Sequence, residues 1–161
     1  MDLKLKELLN RQITEELFSS YLYLAMAADF ESKNLNGMAA WMEKQSKEET
    51  GHGMKIYKYL LERGEKPVLG QLDKPQDSWA TPTAAFEAAL KHEKHITGCI
   101  NDLFKAARTI NDPATEIFLQ WFVSEQVEEE ASVNDVLARL EMVSGSHNGL
   151  YMLDKELGQR S

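Results

Sequence analysis

The sequence predicts an all-α fold: an antiparallel four-helix bundle with one long crossover and a short fifth helix at its C-terminal end. Three observations predict it. Four long stretches repeat apolar residues at the alternating three-and-four spacing of a helix face, and no stretch sustains the period-2 alternation of a strand. Two short turns and one long Pro/Gly-bearing segment separate the four. Each apolar stripe is also interrupted by acidic or amide side chains at matching depth, as expected of helices that share an interior layer.

At 161 residues the chain is long enough for one domain, spanning 1–161, with a substantial core. Its 43% hydrophobic and 27% charged residues are ordinary for a soluble globular protein. A net charge of −8 argues against a nucleic-acid binder, which needs a basic face, and suits a protein that attracts cations. Cys99 stands alone, so there is no intrachain disulfide framework. Met1 to Lys6 lack the apolar run of a signal peptide, and no stretch approaches a membrane span. A cytoplasmic protein with no membrane partner is expected.

The first helix is expected from near Asp2 to about Ser32, with Leu9, Ile13, Glu16, Ser20, Tyr23 and Ala27 on one face and Leu17 and Leu24 beside them. Asn34 to Gly37 form a turn. The second helix carries Met38, Met42, Gln45, Glu49, His52, Ile56 and Leu60 on its stripe and ends near Arg63-Gly64, where glycine suits a left-handed cap. Residues 64–81 include Pro67, Gly70 and Pro75 and have a geometric use. A helix of about 27 residues is roughly 40 Å long, and about 12 extended residues cover that distance. The segment can therefore return along the whole bundle as a crossover.

Thr81-Pro82 opens the third helix, with threonine as N-cap and proline in the first turn. Its stripe is Phe86, Leu90, Glu93, Ile96, Ile100, Leu103 and Ala107. Asp112-Pro113 repeats the cap-and-proline signal for the fourth helix, with the stripe Leu119, Phe122, Gln126, Glu129, Val133, Val136 and Leu140. A weak fifth helix over about 147–158 places Leu150, Leu153 and Leu157 on one face.

The interruptions are regular. Glu16 to Glu49 and Glu93 to Gln126 are both 33 residues apart, and both Glu49/His52 and Gln126/Glu129 are spaced i, i+3. The second half repeats the first at an offset of 77, since 93 − 16 and 126 − 49 agree; Glu48 and Glu125 obey the same offset. Burying such groups costs several kcal/mol each without compensation, and a metal ion is the usual compensation. Carboxylates with one imidazole and no thiolate favour Fe, Mn or Zn. Glu49 faces the middle of the bundle and could bridge two ions, with Glu16 and His52 completing one site and Glu93 with Glu129 or Gln126 the other. A Glu from each of two helices plus Glu-x-x-His from the other two is the ligand pattern of di-iron bundles. A single Glu in an apolar stripe is commonplace; four helices interrupted at one level are not.

Asn10 to Tyr23, Glu48-Glu49-Thr50-Gly51-His52, Lys91-His92-Glu93, Phe118 to Gln126 with Glu128-Glu129-Glu130, and Gly149 to Leu157 resemble bacterial non-haem ferritin over nearly the whole chain. The resemblance implies a homo-oligomer, a hollow shell of twenty-four copies. It also implies oxidation of Fe(II) by O2 or H2O2 at two irons per chain and storage as a ferric oxyhydroxide core. Glu16, Glu49 and His52 would hold the first iron, and Glu49, Glu93 and Glu129 the second, with Gln126 nearby. Glu48, Glu125 and Glu128 match a third iron site, and Tyr23 the tyrosine beside the centre. Haem-binding relatives carry methionine directly after the bridging Glu; Thr50 stands there, so no haem is expected.

The main alternative is a di-metal oxidase or peroxidase of the same fold without storage. Its rubrerythrin-like form normally carries a Cys-x-x-Cys segment, which a chain with one cysteine lacks. A DNA-protecting ferritin places its metal between subunits, whereas these ligands lie within one bundle. A purely structural bundle is the remaining alternative. His92 and His95 lie off the stripe beside Lys91 and Lys94 and are expected on a solvated face. Cys99 is expected to be a packed thiol with no acid-base partner. Trp41, Trp79 and Trp121 are packing candidates, Trp121 one turn from Glu125.

Overall fold

In a computed structural model, which describes residues 1–160, the chain forms five helices: α1 (Leu3–Ser32), α2 (Asn36–Glu62), α3 (Pro82–Ile110), α4 (Pro113–Met142) and α5 (His147–Leu157). Local chemistry sets most of their ends. Asp2, Thr81, Asp112 and Ser146 each accept a hydrogen bond from a backbone N–H of the first turn they cap. Gly64, at φ +73°, takes the left-handed conformation just past α2.

Helix α1 packs antiparallel to both α2 and α3, and α4 runs antiparallel to α3 and α2. Side-chain pairs fix these directions: Tyr23 meets Glu93 while Glu15 meets His95, and Tyr59 meets Thr115 while Gln45 meets Glu129. The crossover climbs α1 as extended chain. Val68 N–H donates to Asn10 Oδ1 (2.8 Å), Gly70 N–H to Thr14 Oγ1 (3.2 Å) and Trp79 N–H to Asp29 Oδ2 (3.2 Å). These side chains satisfy backbone groups that a strand partner would otherwise satisfy.

No Cα of α2 comes within 8 Å of a Cα of α4. That side of the bundle is wide, and long side chains fill it. The apolar interior is correspondingly split into two clusters. One contains Met26, Phe30, Met38, Trp41, Phe86 and Val133; the other contains Leu5, Leu9, Ile56, Leu60, Ile100 and Leu119. Between them lies a polar layer. The stripes hold with three adjustments: Leu24 is 51% exposed, Ser19 rather than Ser20 turns inward, and Leu90 is half-buried beside buried Ala89. The α3 and α1 faces that pack are rotated slightly from the centres of their stripes.

Helix α5 closes one end. The N-cap residue of α2, Leu35, supplies no side-chain cap. Instead Asp154 Oδ1 accepts from Met38 N–H at 2.8 Å, placing a carboxylate at the positive end of the α2 dipole. The docking is close: a Cβ on Gly37 would fall 1.7 Å from the Asp154 carbonyl oxygen. Gly37→Ala should therefore displace α5, and hydrogen exchange across 147–157 should rise well above that of the parent. Asp154→Ala, which removes only the cap, should cost about 1 kcal/mol in denaturant unfolding.

Candidate metal centre

The polar layer is built from one face of each long helix. Glu16 and Glu93 are 0% exposed, Glu49 1%, Glu129 4% and His52 5%. Their donor atoms form two overlapping groups: Glu16, Glu49 and His52 in one, Glu49, Glu93 and Glu129 in the other, with the atoms of each group within 4.8 Å of one another. Glu49 belongs to both. The helix spacing of the sequence thus converges these five side chains.

Charge balance in the layer is incomplete. His52 Nδ1 lies 3.0 Å from Glu49 Oε2 and 3.8 Å from Glu16 Oε2; its Nε2 lies 3.7 Å from Glu125 Oε1 and 3.9 Å from Glu129 Oε1. Burial opposes an imidazolium there, but the neighbouring carboxylates of Glu16 and Glu49 outweigh it and raise the His52 pKa to about 11. A proton on His52 therefore supplies the positive charge that a bound cation would bring. Burial also pushes Glu49 well above the ordinary carboxylate range, against its hydrogen bond to His52 and with the Glu93 and Glu16 charges adding to it. Burial raises Glu93 too, offset in part by hydrogen bonds from Tyr23 and Gln126. Glu129 is raised to about 7 by burial and by the Glu93 charge. One buried oxygen, Glu16 Oε2, has no hydrogen-bond partner at all. An orphaned carboxylate oxygen beside three other acids fits a cation, the one species that would satisfy them together.

Braces hold the acids in place. Tyr23 Oη donates to Glu93 Oε1 (2.6 Å), and Gln126 Nε2 donates to Glu93 Oε2 (3.1 Å) and to Thr97 Oγ1 (3.2 Å). Burial, followed by the Glu93 charge, raises the Tyr23 phenol well above its usual pKa, keeping it a donor. Two braces escaped the sequence reading of the site. Gln12 Nε2 donates to Glu16 Oε1 (2.9 Å), and Gln45 Nε2 donates to Glu49 Oε1 (3.1 Å) and to Glu129 Oε2. The signal was available: both are Gln-x-x-x-Glu pairs, and Gln12 and Gln45 share the 33-residue offset of the glutamates they hold.

The three outer acids do not converge as a trio. Glu125 groups with His52 and Glu129, while Glu48 Oε2 accepts from Arg160 Nη2 (3.2 Å) and Glu128 is exposed. Arg160 also donates to Gln45 Oε1 (2.9 Å), so the chain's last described residue orients a brace of the centre. Trp121 covers His52 edge-to-face, ring centroids 5.4 Å apart, and remains 38% exposed.

Two expectations change. His92 is not on a solvated face: it is half-buried, with Nε2 2.6 Å from Ser19 Oγ, and burial with the neighbouring His95 lowers its pKa to about 4. Cys99 does have a partner, His95 Nε2, 3.6 Å from Sγ. The first difference arises from the way α3 is rolled against α1, which spacing along one helix cannot report; the second lies within α3, where His95 and Cys99 are spaced i, i+4.

A four-helix bundle with acids from every helix meeting in its middle layer is the architecture of the carboxylate-rich, metal-binding bundles. The comparisons with known proteins narrow that class. The family profile Ferritin-like domain matches residues 6–143. A bacterial non-heme ferritin of Bacteroides fragilis is 38% identical over 157 residues, 98% of each chain. Its Escherichia coli O157:H7 counterpart is 38% identical over 151 residues, 94% of this chain and 92% of that one. Among solved structures, an open pore ferritin from Archaeoglobus fulgidus superposes with a TM-score of 0.99 at 43% identity, covering 100% of this chain and 99% of that one. The chain belongs to the ferritin family, and its function is iron storage.

The layer's electrostatics have a measurable cost. An acid raised by burial keeps its proton in the fold after the unfolded chain has lost it. The metal-free fold therefore loses stability as pH rises from 4.5 to about 7 through Glu129. Glu129→Gln should stabilise the metal-free protein above pH 7 on the order of 1–3 kcal/mol, with no gain near pH 4. Denaturant midpoints of parent and variant across pH would check this; a gain independent of pH would assign the effect to packing instead.

Proposed function

We propose that the chain oxidises Fe(II) at a di-iron ferroxidase centre within each subunit and deposits the product as a ferric oxyhydroxide core inside a hollow homo-oligomeric shell. The observation that carries this reading is the pair of overlapping donor groups that share Glu49. Glu16, Glu49 and His52 would bind the first Fe(II), and Glu49, Glu93 and Glu129 the second. Iron is here substrate and cargo. Two Fe(II) ions side by side can give two electrons to O2, or to H2O2, and the anionic oxygens then stabilise the Fe(III) product. Binding competes with protons for these groups: burial raises the proton affinity of Glu49, Glu93 and Glu129, and the carboxylates of Glu16 and Glu49 raise that of His52.

Gln126 supports this as a transit site. It occupies the position symmetrical to Glu49, where the two-fold pattern calls for a Glu, and its amide braces Glu93. Glu129 likewise stands where the pattern calls for His. The second iron would be held less tightly than in a permanent di-iron cofactor, which favours release to a core. Glu125, at His52 and Glu129, extends the donors outward, and with Glu48 and Glu128 would form the third iron site on that exit path. Thr50 follows Glu49, with its hydroxyl 2.8 Å from Ser20 Oγ, and we assign no haem.

The fold does not distinguish storage from a di-metal oxidase; copy number and capacity do. No helix among the described residues is long and apolar enough to cross a membrane, and the reading places the shell in the cytoplasm with twenty-four copies. The Archaeoglobus fulgidus relative is described as an open pore ferritin, so particle architecture needs its own measurement. Aerobic Fe(II) should load far beyond two ions per chain and co-elute with a very large particle. Glu49→Ala should slow the initial oxidation roughly 10–100-fold or more. Loading that stops near two irons on a small oligomer would overturn the shell-and-core reading.

A further inference from the structure

The cluster of Glu15, His95 and Cys99 has no part in the layer just described. Glu15 adjoins Glu16 in sequence, but its side chain leaves α1 on the opposite side of the α1–α3 seam. His95 and Cys99 are spaced i, i+4 on α3 and share one face. The three line a surface cavity of about 400 Å³ together with Arg11, Lys94 and Asp102. Their donor atoms lie within 4.8 Å of one another.

The two separations measured from His95 Nε2 are close to those of a coordination polyhedron. Metal bonds of about 2.0–2.1 Å to imidazole, 2.3 Å to thiolate and 2.0–2.2 Å to carboxylate, at tetrahedral angles, place nitrogen about 3.6 Å from sulfur and about 3.3 Å from oxygen. Here His95 Nε2 lies 3.6 Å from Cys99 Sγ and 3.1 Å from Glu15 Oε2. Little rearrangement separates the metal-free cluster from a ligated one.

We propose that Glu15 Oε2, His95 Nε2 and Cys99 Sγ form a second, mononuclear site for a zinc-class divalent ion, with the fourth position open to water. The donor set distinguishes it from the di-iron centre. A thiolate with an imidazole favours Zn(II) over harder ions, whereas the centre in the bundle offers no sulfur. Binding releases the thiol proton, which burial and then the Glu15 charge otherwise retain. The site is open from the surface, since His95 is exposed, and needs no iron to form.

Anaerobic titration of the assembled, iron-free protein with Co(II) tests this directly. Cobalt bound by thiolate shows a near-ultraviolet sulfur-to-metal charge-transfer band, which the carboxylate centre cannot produce. One such ion per chain is expected, both in the parent and in Glu49→Ala. Zn(II) should bleach the band and shield Cys99 from a thiol-modifying reagent. Cys99→Ser, a near-isosteric change, should abolish the band, and His95→Ala and Glu15→Ala should each weaken binding roughly tenfold or more. Absence of the band at saturating Co(II) would overturn the proposal. So would a band whose affinity is unchanged in both His95→Ala and Glu15→Ala, because the thiol would then bind cobalt without the other two.

Discussion

Four carboxylates buried in one layer of a helical bundle are the constraint around which this structure is arranged. Side by side and out of water, they repel one another and lack solvation, and each costs far more than the leucine that would fill the same place. The protein answers part of that cost locally. The carboxylates raise the proton affinity of His52, Tyr23 and three glutamines donate to the acids, and burial raises the proton affinity of Glu49, Glu93 and Glu129. The remainder is left open at Glu16 Oε2. Two apolar clusters, one on each side, supply the stability that holds such a layer together. A layer with this donor set suits a cation, which would complete it.

The topology follows from the same need. Long polar side chains approach the layer from all four helices and occupy more width than a packed leucine layer. The bundle is accordingly wide between α2 and α4, where Gln45 spans from Glu49 to Glu129 and His52 from Glu49 toward Glu125. The long crossover lets the second helix pair enter from the opposite end, so the two halves relate by an approximate two-fold axis through the layer. Glu16 and Glu93 are then equivalent, as are Glu49 and Gln126, and His52 and Glu129. The halves differ in bracing: glutamines one turn earlier hold the acids of the first, while Tyr23 and Gln126 hold Glu93 in the second.

How far the sequence could be read depends on the range of each interaction. Thr81-Pro82 and Asp112-Pro113 marked helix starts because a cap acts within one turn, and the structure shows those caps. Glu16, Glu49, His52, Glu93 and Glu129 could be placed together because a repeated offset carries register from one helix to the next. Features that depend on how one helix is rolled against another were not legible. Leu24 lies on a periodic face yet is half-exposed, and His92 lies off the stripe yet is turned into the α1–α3 seam by Ser19. Contacts between distant segments were equally hidden: no local pattern joins Arg160 to Gln45, Asp154 to Met38, or Glu15 to His95.

The asymmetry of the centre bears on what it is for. A permanent di-metal cofactor gains from equal, saturated ligation, because each lost ion is lost activity. A centre that handles iron as cargo gains from the reverse, since an ion held too well blocks the next. Here the first half offers an imidazole and a carboxylate around Glu49, and the second replaces the symmetrical ligand by an amide already committed to Glu93 and Thr97. Beside the weaker half, Glu125 stands between the buried layer and solvent, within reach of both His52 and Glu129. On the proposed reading, a gradient from a well-ligated interior to partly exposed acids would give Fe(III) a path out of the layer, and the raised proton affinities of Glu49, Glu93 and Glu129 would favour protons in the places it leaves. Turnover on that reading would depend on the instability of the empty layer being modest enough to survive each departure, and the glutamine and tyrosine braces serve that end.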